Sequence, residues 1–412
     1  MKINLMKNDY PELIVHPITK TEKDRFDELI KGSLLNSYGI PLEIWTSNAS
    51  SHALSYSTHG IFRYFGKFPP PIASYLIKEY TSPDDLVLDP MCGSGTTAVE
   101  ASLLGRKAIC NDVNPLAVAI SKAKITKIGK DQFEKYLNEI ITIVNSNKDI
   151  SPPNLIGLRN PDHWFLPETI NSLNKIRSAI EELEADKDIK NVFNVIFLSI
   201  VRRVSRATTQ QGRLFLDVVT AELDALPFFI KKAERVKDGF ANAPESKNIS
   251  IQMESILNHN DSGRENADLV ICHPPYFNNY KYSGVNSLEL SWMKINHASV
   301  RKSEVREAFK VGKKERVENY ISDMEIVLRN IANKIKKQGH FGLMIGDTFM
   351  KGEYIPVTKM LLDQVKDIYQ IERIALRIPK FTEASWAASQ RRKGNKVGIT
   401  MCDFVICLRK YD

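Results

Sequence analysis

The pattern of apolar and polar residues predicts two kinds of structure along this chain. Between residues 59 and 128, short apolar runs alternate with segments whose apolar residues recur every three or four positions, the spacing of an amphipathic helix. The run "LVLDP" predicts a strand that enters the glycine-rich turn and helix "MCGSGTTAVEASLLGRK". A second strand and helix follow in "AICNDVN" and "PLAVAISKAKITK". This alternation is typical of a parallel sheet covered by helices.

A long helical stretch interrupts the alternation from about residue 130 to 245. Four segments there have the helical period, among them "KNVFNVIFLSIVRRVSRA". The strand pattern returns in "NISIQMES", "ADLVICH" and "HFGLMIGD", and the runs "IYQIERIALRI" and "GITMCDFVICLRK" are predicted to pair as an antiparallel edge. We therefore predict one α/β sheet, mostly parallel with an antiparallel C-terminal strand, and a helical insertion.

Composition narrows the class of protein only slightly. The 412 residues are 43% hydrophobic and 26% charged, and no apolar run approaches the roughly 18 residues of a membrane span. Five scattered cysteines without CxxC pairs and a start without a secretory signal favour a cytoplasmic location and argue against a zinc site or disulfide framework. The net charge of +8 is compatible with a polyanionic partner.

The turn in "LDPMCGSGTTAVEA" has the features of a nucleoside-binding loop. Gly93 and Gly95 remove side chains where a strand meets a helix, which lets backbone amides approach a ligand. Asp112 ends the next strand and is placed to accept hydrogen bonds from ribose hydroxyls. Ala98 breaks the dinucleotide pattern GxGxxG, and no GxxxxGK loop is present, so the pattern disfavours NAD and ATP. A tight turn that merely needs glycine is the alternative.

A second unusual stretch, "ADLVICHPPYFNNY", ends an apolar strand in His273, Pro274, Pro275 and Tyr276. Two consecutive prolines cannot continue a sheet ladder because neither has an N–H to donate. They fix the backbone at the end of the strand. The stretch is therefore a candidate for rigidly placed hydrogen-bond acceptors beside an aromatic ring.

These stretches together resemble the S-adenosylmethionine-dependent DNA methyltransferases that act on exocyclic amines. "DPMCGSGTTAVEA" is similar to their cofactor motif DPFxGSGT, and "HPPY" to their catalytic motif (Asp/Asn/Ser)-Pro-Pro-(Tyr/Phe). "FRYFGKFPPPIASYLI" resembles the segment that closes over the methionine end of the cofactor, and "GHFGLMIGDTFMKGEYIP" a late strand and loop. Two departures are Met91 in place of phenylalanine and His273 in place of Asp, Asn or Ser.

The resemblance implies a Rossmann-like methyltransferase fold with S-adenosylmethionine as its cofactor. Its parts would be an N-terminal extension (1–58), a cofactor-binding half (59–128), a helical insertion that is a candidate target-recognition region (129–247) and a catalytic half (248–412). The catalytic residues would be His273, Pro274, Pro275 and Tyr276. The cofactor-binding residues would be Lys67, Asp89, Pro90, Met91, Gly93, Ser94, Gly95, Thr96, Asp112 and Glu254.

The resemblance also implies a role for each catalytic residue. A base amine is a poor nucleophile because its lone pair is delocalised, and acceptors on both amine protons restore its reactivity. The carbonyl of Pro274 would be one acceptor and His273 the other, while Tyr276 would stack on a base that has left the duplex. Because only a neutral imidazole accepts a hydrogen bond, we expect activity to fall at acid pH, in a measurement between about pH 5.5 and 8.

Several alternatives stay open. Cytosine-N4 is favoured over adenine-N6 because histidine is closer to the neutral SPPY branches than to the acidic DPPY ones. The expected partner is double-stranded DNA, with a possible cognate restriction endonuclease in a restriction–modification or defence setting. A tRNA guanosine-amine methyltransferase and a catalytically silent DNA-binding protein are the rival functions.

Two basic segments are candidates for nucleic-acid contact. "SIVRRVSRATTQQGR" contains Arg202, Arg203, Arg206 and Arg213, and helical spacing would place Arg202 and Arg206 on one face. A later loop contains Arg391 and Arg392. The alternative for the first segment is a solvated helix face, and for the second an exposed hairpin.

Overall fold

The computed structural model describes residues 10–146, 150–210, 213–217, 224–244, 247–258, 266–277, 282–305, 315–350, 353–378 and 403–412. Its strands are β1 (Ile14–Pro17), β2 (Leu42–Thr46), β3 (Leu86–Asp89), β4 (Lys107–Asp112), β5 (Ala207–Gln210), β6 (Arg213–Leu216), β7 (Ile249–Met253), β8 (Ala267–Cys272), β9 (Ile335–Ile345), β10 (Thr348–Met350), β11 (Glu353–Ile355), β12 (Tyr369–Ile378) and β13 (Asp403–Lys410).

The α-helices are α1 (Lys20–Arg25), α2 (Asp27–Ser33), α3 (Pro70–Tyr80), α4 (Thr96–Leu103), α5 (Pro115–Lys124), α6 (Lys130–Asn145), α7 (Pro161–Trp164), α8 (Pro167–Glu182), α9 (Lys187–Val204), α10 (Leu226–Ala241), α11 (Tyr282–Val285), α12 (Ser287–Trp292), α13 (His297–Ser303), α14 (Glu315–Lys334) and α15 (Val357–Gln364). Short 3-10 turns span Leu35–Tyr38, Ala53–Ser55 and Ile256–Asn258. No helix in the described ranges is long and apolar enough to cross a membrane.

Nine of the described strands form one mixed sheet in the order β1-β2-β12-β13-β9-β8-β3-β4-β7. From β9 to β7 every neighbouring pair is parallel, whereas β13 is antiparallel to both β12 and β9. The predicted α/β class and antiparallel C-terminal strand are confirmed. The predicted edge position of the last pair is wrong, because β12 also pairs with β2 and β13 lies inside the sheet.

Both faces of the sheet are buried, as the continuous apolar runs predict. Along β8, Leu269 and Ile271 pack on one face with α3 and α4, while Val270 and Cys272 pack on the other with α14 and α15. Successive side chains of a strand point to opposite faces, so an uninterrupted apolar run requires cover on each. This burial holds the carboxyl ends of the central strands in a fixed arrangement.

The helices of the insertion share a core with the sheet's own helices. Phe193 of α9 packs on Phe133 of α6, with ring centroids 4.9 Å apart, and the same apolar cluster includes Leu116 and Ile120 of α5. The segment 130–241 is therefore packed directly against the part of the chain that follows the glycine turn.

One expectation within the insertion is wrong. The helix α9 ends at Val204, and β5 and β6 then form an antiparallel hairpin instead of a continued helix. The Ser205 hydroxyl donates to the Arg202 carbonyl and accepts from the Ala207 amide, which gives the chain a local alternative to helical hydrogen bonds. The β-branched residues that follow favour a strand. Arg202 and Arg206 consequently do not share a helix face.

Candidate functional site

A cavity of about 870 Å³, its open mouth included, lies at the carboxyl ends of β3, β4, β7 and β8. In open α/β sheets this edge is where ligands bind. The cavity is lined by Tyr64, Gly66, Lys67, Phe68, Asp89, Pro90, Met91, Cys92, Gly93, Ser94, Asp112, Val113, Asn114, Ser255, Ile256, Leu257, His273, Pro275, Ser303, Glu304 and Val305. The glycine turn and the proline-rich tetrapeptide, 180 residues apart in the chain, therefore open into one space.

The glycine turn is held by tight contacts. Gly93 and Gly95 have φ angles of 50° and 73°, in the left-handed region that glycine adopts without strain. A Cβ on Gly95 would lie 2.6 Å from the Ser121 hydroxyl, so α4 and α5 approach each other only because that side chain is missing. The Asp112 carboxylate accepts from the Gly93 amide at 2.8 Å, which ties the turn to the end of β4.

Two carboxyl groups and one hydroxyl make the inner wall of the cavity polar. Asp89 accepts from the Thr97 hydroxyl and the Met91 amide, and burial raises its pKa to about 7. Burial also raises the pKa of Asp112, to about 6. The Ser94 hydroxyl, 3% exposed, has no hydrogen-bond partner in the described part of the chain. A buried unpaired hydroxyl is costly unless a ligand satisfies it.

Lys67 lines the cavity at the side of the segment that precedes the glycine turn. Its ammonium donates to the His59 carbonyl at 3.1 Å. The His59 ring in turn lies 2.8 Å from a Glu100 carboxylate oxygen, which also accepts from Tyr56. Because burial raises the pKa of Glu100 to about 7 and lowers that of His59, this network supports Lys67 without adding a strong charge.

The tetrapeptide at the end of β8 is fixed by its neighbours. The buried Tyr320 of α14 donates its hydroxyl to the Pro275 carbonyl at 2.7 Å. His273 Nε2 lies 3.0 Å from the Tyr276 hydroxyl, and the His273 ring packs beside Phe68 at a centroid distance of 5.5 Å. The prolines are therefore one part of a rigid cluster that spans three elements.

His273 is neutral at physiological pH. The edge of its ring remains partly exposed in the cavity, but desolvation, with a smaller effect from the positive charge of Arg377, lowers its pKa to about 3. Its ring also has a hydrogen bond with the Gly66 backbone. The neutral form required of an acceptor is present, and the expected loss of activity from protonation between pH 5.5 and 8 does not follow from this environment.

The remaining sequence candidates lie around the cavity wall. Thr96, the first residue of α4, donates its hydroxyl to the Phe68 carbonyl. Glu254 follows β7 and accepts from the Asn111 amide at 3.3 Å, next to the lining residue Ser255. Pro274 and Tyr276 adjoin the lining residues of the tetrapeptide. Thus, of the cofactor candidates, Gly95, Thr96 and Glu254 support the wall instead of lining it.

The basic candidates do not form one cluster. The Arg202 guanidinium donates to the Glu289 carboxylate at 2.7 Å and to the Val285 carbonyl at 2.8 Å. These internal bonds argue against a role of Arg202 as a phosphate contact. Arg203 is exposed beside the Phe228 ring, and Arg206 donates to the Asp162 carbonyl. Arg213 lies on β6. Arg391 and Arg392 fall outside the described residues.

Sequence reasoning missed several residues of the site. Glu304 and Val305 follow α13, and Ile256 and Leu257 form a short turn after β7. Tyr320 supports the tetrapeptide from a helix that the sequence marks only as charged and amphipathic. None of these positions has a local motif, so their placement depends on the tertiary fold. Within the described ranges no three His, Cys, Asp or Glu side chains are placed to hold a metal ion.

The sheet order defines a Rossmann-like α/β fold, and the cavity at the carboxyl ends of its parallel strands is a candidate cofactor site. Residues 7–123 match the family model described as DNA methylase. The chain is 32% identical over 133 residues to the type II methyltransferase M.MvaI of Kocuria varians, which covers 31% of this chain and 29% of that relative. Through its first 123 residues the chain is thus similar to DNA methylases, and the matched part includes the glycine turn.

A longer match is to the type II methyltransferase M.BsoBI of Geobacillus stearothermophilus, with 25% identity over 288 residues, 61% of this chain and 55% of the relative. The alignments thus span about a third to a half of these relatives' own lengths. A solved structure described as TrmN from Thermus thermophilus aligns with a TM-score of 0.33 and 11% identity, over 84% of this chain and 50% of that one.

Proposed function

We propose that this protein transfers a methyl group from S-adenosylmethionine to the exocyclic amine of a base in double-stranded DNA. The observation that carries the proposal is the shared cavity of Gly93 and His273, which brings the family's cofactor turn and the candidate catalytic tetrapeptide together. The family match of residues 7–123 supports both the cofactor and the substrate class.

The residues of the cavity fit S-adenosylmethionine. The Gly93 backbone and the unpaired Ser94 hydroxyl offer polar contacts at the start of α4, and Lys67 offers a positive charge for a carboxylate. Asp89 and Asp112 offer negative charge, which complements a cationic ligand. When bound, this cofactor supplies a methyl group activated by its sulfonium.

The tetrapeptide would hold the target amine. The Pro274 carbonyl is the first acceptor, and its position is stabilised because Tyr320 anchors the next carbonyl along the chain. His273 is the second acceptor, in its neutral form, and an entering amine would displace the Tyr276 hydroxyl from Nε2. The freed Tyr276 ring is then available to stack on a flipped base.

The target base and the biological setting are finer parts of this proposal. We favour cytosine-N4 over adenine-N6 because the neutral His273 pairs with the neutral first residues of the SPPY branches. The names of the type II relatives favour a restriction–modification or defence role with a possible cognate endonuclease. The helical segment with its β5–β6 hairpin, near residues 129–247, is the candidate target-recognition region.

The test is transfer of a radiolabelled methyl group from S-adenosylmethionine to duplex DNA, with tRNA as a parallel substrate. We expect label in DNA, in N4-methylcytosine after digestion, and roughly tenfold less or lower still with the Tyr276→Ala variant. Tyr411→Ala, which alters an exposed tyrosine outside the cavity, is the matched control and should keep full transfer.

Two outcomes would contradict the proposal. Label in tRNA instead of DNA would favour the RNA methyltransferase. Cofactor binding without transfer to either substrate would favour a silent DNA-binding protein. Label in N6-methyladenine would overturn only the preference for cytosine.

A further inference from the structure

One carboxyl group in the cavity belongs to no motif of the family. Helix α13 ends at Ser303. Ser303 and the two residues that follow it, Glu304 and Val305, line the same cavity as the glycine turn. They follow the tetrapeptide in the chain and come from the side of the fold that packs on α11 and α12. Glu304 thus reaches a cofactor site built mainly from the other half of the chain.

The surroundings of Glu304 hold its carboxyl group in place. One carboxylate oxygen accepts from the Ser283 hydroxyl at 3.0 Å, and the Ser283 backbone also bonds to it. Burial, with a smaller effect from the negative charge of Asp112, raises its pKa to about 7, and the positive charge of Arg301 acts in the opposite direction. A carboxyl group whose burial raises its pKa is costly to keep ionised, which suggests that a ligand compensates for it.

Asp112, the acid expected to bind ribose, is already engaged by the backbone. One of its oxygens accepts from the Gly93 amide and the other from the Asn114 amide, both at 2.8 Å. The Val113 backbone also bonds to this carboxylate, so these bonds shape the glycine turn and leave little acceptor capacity for a ligand. A ligand with two adjacent hydroxyl donors would be better satisfied by two carboxyl groups than by this one.

We propose that Glu304 is a second cofactor-binding carboxylate, which accepts a hydrogen bond from a ribose hydroxyl of S-adenosylmethionine beside Asp112. The unpaired, 3% exposed Ser94 hydroxyl in the same cavity is independent evidence that a polar ligand belongs there. This inference rests on the proposed function for the identity of the cofactor, and it extends that function by assigning a residue from outside the family motifs.

The ribose is the part of the cofactor that Glu304 can reach. Asp112, the acid expected at the ribose, is among the charges that act on Glu304. Ile256 and Leu257 line the same cavity and are apolar residues that suit the adenine ring. We therefore assign Glu304 to the adenosine side of the cavity, where the ligand's donors are the two ribose hydroxyls and the adenine amine, and the deoxy analogues distinguish a ribose hydroxyl from the amine.

The experiment is calorimetric titration of the protein with adenosine, 2′-deoxyadenosine and 3′-deoxyadenosine, compared with S-adenosylmethionine. We expect Glu304→Ala to weaken adenosine binding roughly tenfold or more, as for a lost hydrogen bond to a charged group. Glu304→Gln should weaken it less. The wild-type protein should disfavour at least one deoxy analogue, and both variants should reduce that discrimination. Glu318→Gln, which alters an exposed carboxylate on α14, should bind like the wild type.

The pH dependence gives a second readout. Because the ionised carboxylate is the better acceptor, wild-type adenosine affinity should rise between pH 6 and 8, and this rise should be smaller in Glu304→Gln. Unchanged affinity, discrimination and pH dependence in a folded Glu304→Gln protein would overturn the inference while leaving the proposed function intact. A wild-type protein that binds neither adenosine nor S-adenosylmethionine would overturn both.

Discussion

His273 Nε2 and the Tyr276 hydroxyl are hydrogen-bonded at 3.0 Å within a single tetrapeptide. The ring nitrogen expected to accept a proton of the target amine thus already has a donor. Under the proposed function, the tyrosine hydroxyl takes the place of the substrate's donor, while Tyr320 and the two prolines hold the backbone. The resting site therefore satisfies its buried acceptor before a base arrives.

Replacing Tyr276 separates the hydrogen bond of its hydroxyl from the stacking of its ring on a base. In Tyr276→Phe the hydroxyl is lost but the ring remains, so we expect methyl transfer within about threefold of the wild type, since His273 no longer has to exchange partners. In Tyr276→Ala the stacking surface is also lost, which should cost roughly tenfold or more, because stacking on a base contributes about 1–3 kcal/mol. The measurement is single-turnover transfer to DNA. A phenylalanine variant as inactive as the alanine variant would show that the hydroxyl itself is required.

The pH dependence of stability follows from the low pKa of His273. In the unfolded chain a histidine takes up a proton near pH 6.5, whereas the folded ring stays neutral down to about pH 3. Fewer protons are bound in the folded state, so the contribution of His273 to stability falls as the pH decreases from 6.5 toward 3. His273→Asn should therefore gain on the wild type by about 1 kcal/mol per pH unit below pH 6.

Urea unfolding of both proteins between pH 4.5 and 7.5 measures this difference, in which the other titrating groups cancel. A difference independent of pH would show that the ring titrates in the folded protein with the same pKa as in the unfolded chain. The same low pKa means that His273 protonation does not reduce transfer at saturating substrate between pH 5.5 and 8. An acid limb that disappears in a His273→Asn enzyme with residual activity would contradict this assignment.

Two glycines give a matched test of the cofactor turn. Gly95→Ala forces an alanine into the left-handed conformation, which lowers the free energy of unfolding by about 1–2 kcal/mol. The new Cβ also contacts Ser121, which lowers it by roughly 1–3 kcal/mol more. Gly105 has a similar φ of 72° but open space around it, so Gly105→Ala should lose only the conformational part. Chemical denaturation should separate the two variants, and only Gly95→Ala should weaken S-adenosylmethionine binding. Equal losses of stability would mean that the close approach of α4 and α5 is unimportant.

Replacing the two neighbouring arginines of α9, Arg202 and Arg203, is expected to have different effects on stability. Arg202→Ala leaves the carboxylate of Glu289, which is 2% exposed, without its cation. We expect this change to lower the unfolding free energy by roughly 3 kcal/mol. This value is at the low end for a broken buried ion pair, because the Arg202 side chain is itself 18% exposed. Arg203→Ala should leave stability within about 0.5 kcal/mol. If Arg203 contacts a phosphate, its loss lowers the salt slope of DNA binding by about one. Urea unfolding and binding at several salt concentrations check both expectations.

The sheet and the two ends of the site were predictable because their signals are local. The glycine turn, Asp112 and the proline pair each follow an apolar strand, and parallel strands bring such positions to one edge. The family motifs then indicated the cofactor. The sequence pattern could place these residues at one edge of the sheet because each is fixed locally, by its backbone conformation or by its position at a strand end.

The wrong or missing sequence predictions concern residues whose position or environment depends on tertiary contacts. The Arg-rich end of α9 had the spacing of a helix, yet Ser205 ends the helix and Arg202 turns inward to Glu289, a partner 87 residues away. The environment that lowers the His273 pKa likewise comes from distant parts of the chain, because Phe68 packs beside the ring and Arg377 adds a positive charge, while the hydrogen bond with Gly66 acts in the opposite direction. Glu304 has no motif at all and enters the site only through the packing of α13.

The placement of β13 between β9 and β12 has a consequence for how the protein folds. Until residues 403–410 take their place, both flanking strands present open hydrogen-bonding edges, and the half of the sheet that contains β12, β2 and β1 has no bridge to the half that carries the cavity. Closure depends on contacts between segments far apart in the chain, which form slowly. During synthesis on the ribosome, nascent chains lacking this strand are exposed to edge-to-edge aggregation and are natural clients for chaperones.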